Sequence, residues 1–278
     1  MKKIISIALV LVIVFSFAAC GAKKAESRLD QIKAAGVIQV ATEPYFAPYE
    51  FIDPSKSGND QYLGADVKIM QAIADEIGVK LEIVPLDFTA VLAGITTAKY
   101  DMAISAIAYS LERAENMNLS NVYKASDTGY GFIVRAEDAD KYNSIEDLKD
   151  AVVATQSGSV QEGIFRADVS EKGCKELKLF AQMTDAYLAV QENRADVCIC
   201  STESAQLYAE ANDNVLAVPA FRFTVDPNMN GTVVACPAEG TDELIEVINK
   251  VIAELNSQGL IDQWFEEASR QAKDLGIE

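Results

Sequence analysis

The chain has 278 residues and is acidic, with 42 Asp and Glu against 24 Lys and Arg and a formal net charge of −18. Such a charge repels nucleic acid phosphates and argues against a nucleic acid partner. The chain has no histidine, which excludes a Ser-His-Asp or Cys-His catalytic apparatus and leaves zinc without its usual nitrogen ligand. We therefore expect no metal and no cofactor. The length suffices for two α/β lobes or one large domain.

The N-terminal residues are typical of an export signal. Two lysines precede an uncharged run, residues 4 to 19, which is shorter than the roughly 20 residues that span a bilayer. The stretch FAAC that ends at Cys20 resembles the lipobox of bacterial lipoproteins, in which the cysteine becomes the lipid-modified first residue. The alternative is an ordinary secretory signal with an incidental cysteine. We expect a signal peptide at 1–19 and a lipidated leader at 20–35, which holds the domain at the extracytoplasmic face of the cell membrane or in the periplasm.

Strand and helix patterns then alternate along the first half of the chain. Three stretches have the composition of strands: VIQVAT (37–42), VKLEIV (79–84) and DMAISA (101–106). Two have apolar residues at helical spacing: DVKIMQAIADEIG (66–78) and FTAVLAGITTAK (88–99). Strands that alternate with helices of this length predict a parallel, doubly wound sheet.

A second series of the same kind begins near residue 129. Its predicted strands are 129–134, 151–156, 195–200 and 214–219, and its predicted helices are 184–193 and 203–212. Two long amphipathic helices, 241–257 and 259–273, follow. The sequence therefore predicts two α/β units.

A similar sequence pattern occurs once in each half of the chain. AKYDMAIS (98–105) and NRADVCICS (193–201) both run through an aspartate into an apolar strand that ends on a serine. Because ligands of open α/β sheets lie beyond the carboxyl ends of strands, Ser105 and Ser201 are candidate site residues on either side of a cleft. The two cysteines in the second strand share one face, which favours core packing over metal ligation.

Five stretches of the chain together carry a family pattern. They are VATEPYFAPYEF (40–51), GADVKIMQAIADEIG (64–78), KYDMAISAIAYSLERAENMNLSNVY (99–123), SGSVQE (157–162) and LIDQWFEEA (260–268). In this order and spacing they resemble family 3 of the bacterial extracellular solute-binding proteins, the polar amino acid receptors of ABC importers. The resemblance covers nearly all of residues 36 to 270.

The resemblance implies an α/β fold of the periplasmic-binding-protein type II, with two doubly wound α/β lobes joined by a two-strand hinge. Lobe 1 would comprise 36–125 and 228–278, and lobe 2 would comprise 126–227. The crossings are expected near 124–128 and 223–229. Ligand binding would close the lobes through preferential affinity for the closed state.

The resemblance also assigns the aromatic loop that follows the first predicted strand. Two prolines stiffen this loop, so that its aromatic side chains can form an apolar wall of the cleft. Phe46 would face the ligand, Phe88 would lie opposite, and Glu43 would lie nearer the ligand's side-chain end. Tyr49 and Phe51 are expected in the core, and Tyr45 could lie either in the core or at the cleft.

Arg113, in AYSLERAE, matches the arginine that grips the ligand's α-carboxylate in similar proteins. A guanidinium suits this task because it donates two parallel hydrogen bonds to a carboxylate. The alternative is a solvated helix arginine paired with Glu112 or Glu115.

Backbone and hydroxyl groups would complete the carboxylate site. Where similar proteins place a donor and a hydroxyl before the arginine, this chain has Ala106 and Ala108, so backbone groups alone could serve. From the second lobe, Ser159 and the amides around Val160 would cap the same carboxylate at a helix N-terminus.

One position departs from the family pattern. Similar receptors bind the ligand's α-ammonium with an aspartate after a second-lobe strand, and this chain has Ser201 there. A buried ammonium without an anionic partner costs several kcal/mol, on the order of the usual effective penalty for a buried ion. Glu203 or Glu43 could replace the aspartate, or the ligand could lack an α-ammonium.

The function implied is that of a lipid-anchored, monomeric receptor, not an enzyme, that delivers an amino acid or similar small carboxylate to the membrane subunit of an ABC importer. An alternative on the same fold is a cyclohexadienyl-dehydratase-like enzyme with Glu43 as the general acid. A third is a ligand sensor, which we do not favour because the sequence up to Glu278 shows no second membrane segment or signalling domain.

Overall fold

A computed structural model describes residues 26–125, 129–212 and 215–277. The predicted signal peptide and Cys20 lie outside these residues. Among the described residues, no helix combines the length and the apolar character needed to cross a bilayer.

The first lobe contains the N-terminal half of the described chain. Its helices are α1 (Arg28–Ala35), α2 (Ala65–Ile77), α3 (Phe88–Thr96) and α4 (Leu111–Asn116). Its strands are β1 (Val37–Thr42), β2 (Phe51–Ile52), β3 (Tyr62–Leu63), β4 (Lys80–Pro85), β5 (Met102–Ala103) and β6 (Met117–Leu119), and β7 (Lys124–Ala125) leads out of it.

The second lobe comes next, and the chain then returns to the first. The second-lobe strands are β8 (Tyr130–Arg135), β9 (Val152–Gln156), β10 (Glu176–Phe180), β11 (Val197–Ser201) and β12 (Leu216–Ala217), and its helices are α5 (Val160–Ile164), α6 (Met183–Gln191) and α7 (Thr202–Ala211). The returning elements are β13 (Gly231–Thr232), β14 (Ala235–Pro237), α8 (Asp242–Ser257) and α9 (Leu260–Leu275).

Each lobe is built on a five-stranded sheet, with the order β4-β1-β5-β14-β6 in the first and β10-β9-β11-β8-β12 in the second. The predicted alternation of strands and helices is confirmed, and β1 pairs in parallel with β4 and β5 as expected. The sheets are nevertheless mixed, not purely parallel. Strand β14 runs antiparallel to β5 and β6 because it enters from the other lobe, and β8 runs antiparallel to β11 and β12.

Residues 28–35, which the sequence placed in the leader, form α1 on the first lobe. Ser27 and Asp30 form a capping box at its start. Leu29 and Ile32 are buried in the core cluster that β1, α2, α8 and α9 share. These residues therefore belong to the folded lobe, because burial of two apolar side chains and a satisfied helix start favour the helix over an extended tether.

The two crossings between the lobes lie side by side. Strand β7 pairs antiparallel with β13, which joins Lys124 to Thr232 and Ala125 to Gly231. The second crossing comes later than the expected 223–229, because Phe223 and Met229 still pack in the second-lobe core.

Cys198 and Cys200 on β11 are fully buried and share one core cluster in the second lobe. Both are free thiols, and the predicted packing role is confirmed. The core position of Phe51 is confirmed as well, since its side chain is fully buried beneath α9.

Candidate ligand-binding site

A small cavity of about 70 Å³ lies between the two lobes. The carboxyl ends of four strands meet there, namely β1 and β5 from the first lobe and β9 and β11 from the second. Ten of the eleven residues predicted from the sequence line this cavity: Glu43, Phe46, Phe88, Ser105, Ala106, Ala108, Arg113, Ser159, Val160 and Ser201. The structure thus gathers them in one place, while their roles in binding stay predictions.

Glu203 is the predicted residue that does not reach the cavity. Ser201 is the N-cap of α7, so the chain is already helical from Thr202 onward. Since a helix turns by about 100° per residue, Ser204 faces the cavity with Ser201, and Glu203 lines a separate outer groove. A replacement of the missing aspartate by Glu203 would have required a loop at this point.

Arg113 is buried at one end of the cavity. Ser110 caps α4 and accepts the Arg113 N–H at 3.2 Å, which fixes the start of this short helix. The guanidinium donates from Nη1 to the Ala108 carbonyl at 2.5 Å and from Nη2 to the Gly158 carbonyl of the second lobe at 3.1 Å. Two of its five N–H groups are therefore used by carbonyls.

Arg113 forms no salt bridge with a carboxylate in the described part of the chain. The alternative interpretation, a solvated arginine paired with Glu112 or Glu115, is wrong, because Arg113 is 8% exposed and makes no salt bridge with a described residue. Glu112 acts on its charge only through space. Burial lowers the pKa of Arg113 to about 10, which leaves it cationic at neutral pH. A buried cation with unused donors is a ready site for an anion.

The Phe88 ring supports this guanidinium, with 5.6 Å between the Arg113 Cζ and the ring centroid. Cation–π contact of this kind holds the guanidinium plane in place. Gly158 approaches from the other lobe with a φ of +74°, and an added Cβ there would lie 3.1 Å from Thr89. The arginine end of the cavity is therefore closely packed across the two lobes.

Glu43 follows β1 and is 3% exposed. Its backbone N–H donates to the Ser105 hydroxyl at 2.9 Å, and its Oε2 accepts from Gln156 Nε2 of the second lobe at 3.0 Å. Its Oε1 has no hydrogen-bond partner among the described residues. Burial raises the pKa of Glu43 to about 8, with Asp87 and Asp185 adding to the rise and Gln156 opposing it.

The cavity is thus chemically polarised. It offers a fixed cation at Arg113, a carboxyl with an unpaired oxygen at Glu43, and aromatic surface from Phe46 and Phe88. A small molecule that carries a carboxylate and a cationic group would satisfy both buried groups.

Residues 38–268 match the family described as bacterial extracellular solute-binding proteins, family 3. The chain belongs to this family. The solute-binding protein is 25% identical over 271 residues to the arginine-binding extracellular protein ArtP of Bacillus subtilis, a match that covers 95% of this chain and 98% of ArtP.

Two further comparisons bear on the site. An amino acid ABC transporter substrate-binding protein from Streptococcus pneumoniae, solved with L-arginine bound, is 32% identical with a TM-score of 0.79, over 88% of this chain and 98% of that one. The cyclohexadienyl dehydratase of Pseudomonas aeruginosa is 24% identical over 195 residues, which is 69% of each chain. The first likeness confirms the type II periplasmic-binding-protein fold, with two α/β lobes.

Several groups predicted to bind the ligand's carboxylate are already occupied within the solute-binding protein. The Ser159 hydroxyl donates to the Gln156 carbonyl at 2.7 Å and accepts from the Glu162 N–H at 3.2 Å. The Ala106 N–H donates to Asp66 at 2.9 Å, and the Ala108 carbonyl accepts from Arg113. These groups shape the cavity, and Arg113 holds the unused donors.

Sequence reasoning missed some residues of the cavity. Gln156 ends β9 as Ser201 ends β11, so the rule that selected Ser105 and Ser201 would also have found it. Tyr49, which we assigned to the core, is 8% exposed and packs in the first-lobe core as expected, but it also lines the cavity beside Phe46. No sequence signal marked Tyr130, which lines the cavity and donates to the Met229 carbonyl at 2.9 Å.

Proposed function

We propose that this solute-binding protein binds an α-amino acid in the cavity and presents it to an ABC importer. The observation that carries the proposal is the pair of buried groups with unused hydrogen-bonding capacity in one cavity, Arg113 and Glu43. Arg113 would bind the α-carboxylate. Glu43 would bind the ligand's cationic group, in place of the aspartate that this chain lacks at Ser201.

Charge matching favours a ligand with one cationic group. Glu43 contributes the one carboxyl among the described residues that line the cavity, and Lys124 adds a second positive charge at its wall, held 2.9 Å from Asp262. A ligand with two cationic groups would therefore leave one of them without an anionic partner, which is costly in a buried site. We infer that a zwitterionic amino acid with an uncharged side chain binds more tightly here than arginine, the ligand for which ArtP is named.

The test is calorimetric titration of the protein from residue 21 onward with neutral amino acids, with arginine and lysine, and with matching carboxylates that lack the amine. We expect the tightest binding from a neutral amino acid. Tighter binding of arginine would contradict the charge argument, and binding of amine-free carboxylates alone would contradict the role of Glu43.

The likeness to a dehydratase and the buried carboxyl of Glu43 favour one second candidate, an enzyme. Burial holds the Glu43 pKa near neutrality, as a general acid requires. We propose that the protein is nevertheless a receptor, because ArtP and the S. pneumoniae protein match it over more of its length than the dehydratase does. Incubation with prephenate or arogenate tests this, and formation of phenylpyruvate or phenylalanine would show catalysis.

We also propose that Cys20 carries a lipid that tethers the receptor to the extracytoplasmic face of the cell membrane. The uncharged run before it and the FAAC stretch support this. We propose that the folded domain acts as a monomer, with lobe 1 formed by residues up to 125 and from the second crossing onward.

A further inference from the structure

Two fully buried carboxyl groups lie just behind the cavity wall, on Glu50 and Asp66. Neither makes a salt bridge with a lysine or arginine in the described ranges. The titratable groups around Glu50 are Asp66, Glu43, Tyr49 and Tyr123, and none of them is cationic. Two negative charges would be strongly unfavourable in such a setting, so this pair requires a proton.

Asp66 is the better placed of the two to hold the negative charge. It lies in the first turn of α2, where the helix dipole favours an anion. Its Oδ2 accepts the Ala106 N–H at 2.9 Å, and the Tyr123 hydroxyl donates to the carboxylate at 2.8 Å. These hydrogen bonds and one from Glu50 oppose the rise that burial imposes on the pKa of Asp66.

Glu50 is the better placed to hold the proton. Its Oε1 accepts from the Ser105 hydroxyl at 3.2 Å, and Ser105 in turn accepts the Glu43 N–H at 2.9 Å. Burial, followed by the charge of Asp66, raises the pKa of Glu50 well above its usual range. The other Glu50 oxygen, Oε2, accepts no hydrogen bond from a described residue, and a proton on Glu50 would let it donate to Asp66, so that one proton would serve both side chains.

Ala106 shows what this pair holds in place. Its φ is +45°, a left-handed conformation that is uncommon for a residue with a Cβ. Its N–H bond to Asp66 fixes this conformation at the cavity wall. On the other side, Tyr123 directly precedes β7, the first crossing between the lobes.

We propose that Glu50 and Asp66 form a singly protonated pair that positions the ligand site, through Ala106, Ser105 and the Glu43 backbone, and anchors the first crossing strand through Tyr123. The inference extends the proposed amino acid function and names two positioning residues that do not line the cavity. If the pair has this role, ligand affinity depends on the one proton that Glu50 and Asp66 share.

The experiment compares three variants with the wild type. Glu50→Gln mimics the protonated side chain, because its amide can donate to Asp66 and its oxygen can accept from Ser105. Asp66→Asn removes the charge and one acceptor, so Ala106 and Tyr123 must compete for one oxygen. Asp101→Asn is the matched control: it removes a partly buried first-lobe carboxylate that binds the Gln39 N–H and Arg28 and does not line the cavity.

We expect Glu50→Gln to bind the amino acid within about twofold of the wild type, and Asp66→Asn to bind about tenfold or more weakly, as for loss of a buried hydrogen bond. The Asp101→Asn control should lower the melting temperature without a change in affinity. As the pH rises and Glu50 ionises, the wild-type protein should lose ligand affinity relative to Glu50→Gln. The two proteins share every other titrating group, so the difference in affinity reports Glu50 alone.

Two further measurements do not depend on the ligand and keep the inference separate from the proposed function. Infrared spectroscopy of the protein without ligand should show, beside the band of protonated Glu43, a second protonated carboxyl band that Glu50→Gln removes and that persists above pH 7. Exchange of the Ala106 amide proton should accelerate in Asp66→Asn and not in the control. If no amino acid binds the wild type, the proposed function fails, and these two results still decide the inference. Unchanged Ala106 exchange in Asp66→Asn, or a loss of affinity in Glu50→Gln equal to that in Asp66→Asn, would overturn it.

Discussion

Replacement of Arg113 by alanine has different effects on the stability of the protein and on its affinity for the ligand, so the two contributions of this arginine can be measured separately. The guanidinium is buried without a salt bridge to a described residue, so relief of its desolvation should partly offset the loss of its hydrogen bonds to Ala108 and Gly158 when it is removed. With ligand bound, the same removal leaves the ligand's carboxylate buried and unpaired, which costs about 3–5 kcal/mol.

The expected loss of binding free energy can be converted into a change in ligand-induced stabilisation. A loss of 3–5 kcal/mol weakens binding by roughly 10²- to 10³-fold or more, since about 1.4 kcal/mol is tenfold. A ligand at about 1,000 times the wild-type dissociation constant stabilises the protein by about 4 kcal/mol. At that concentration Arg113→Ala should therefore keep between about 0.4 kcal/mol (10³-fold weaker binding) and about 1.4 kcal/mol (10²-fold weaker binding) of ligand-induced stabilisation.

The assay is thermal unfolding with and without ligand, supported by calorimetric titration. Arg166→Ala provides the matched control, because Arg166 is an exposed second-lobe arginine paired with Glu162. Arg113→Lys adds a further comparison: it keeps a positive charge and loses the forked donor geometry, so it should bind with intermediate affinity. An Arg113→Ala protein with the wild-type ligand shift would refute the assignment of Arg113 to the carboxylate.

Three further predictions concern the other end of the cavity and the membrane tether. The raised pKa of Glu43 means that its proton stabilises the empty fold, and that this contribution is lost as the pH rises from the unfolded value through about 8. A ligand ammonium favours the ionised form of Glu43, so ligand affinity should rise by up to about tenfold per pH unit below pH 8. Glu43→Gln should bind weakly, with an affinity that does not change over this pH range. Calorimetric titration in buffers of different ionisation enthalpy would count the proton that Glu43 releases on binding. Glu203→Gln should leave ligand affinity unchanged, because Glu203 lies outside the cavity. Weaker binding of this variant in calorimetry would show that Glu203 takes part in ligand binding. Cys20→Ser should release the protein from membranes and prevent incorporation of a labelled fatty acid, whereas persistence of both would show another mode of attachment.

The fold was largely predictable because the spacing of apolar residues along the sequence indicates most of its helices and strands. Apolar residues at helical spacing located α2 and α8, and β-rich runs located β1, β9 and β11. Short strands were harder. DMAISA forms only two paired residues, because the chain turns at Ala106 to meet Asp66, and no local pattern encodes a partner 40 residues away.

The site was predictable to the level of position, not of atoms. Strand ends and family likeness brought ten residues to one cavity. The use of the Ser159 hydroxyl by its own helix, and the start of α7 at Thr202 that turns Glu203 away, depend on local backbone geometry. The proposed pairing of Glu50 with Asp66 depends on the backbone hydrogen bonds from Ala65 and Asp66, at the start of α2, to the carbonyls of Pro48 and Tyr49, and sequence spacing does not report these bonds.

Both groups that we expect to hold the ligand already reach across to the opposite lobe. Arg113 donates to the Gly158 carbonyl, and Glu43 accepts from Gln156. A ligand held by these two groups would therefore be tied to both lobes through one pair of side chains. A change at either end of the cavity should then alter ligand affinity and lobe closure together.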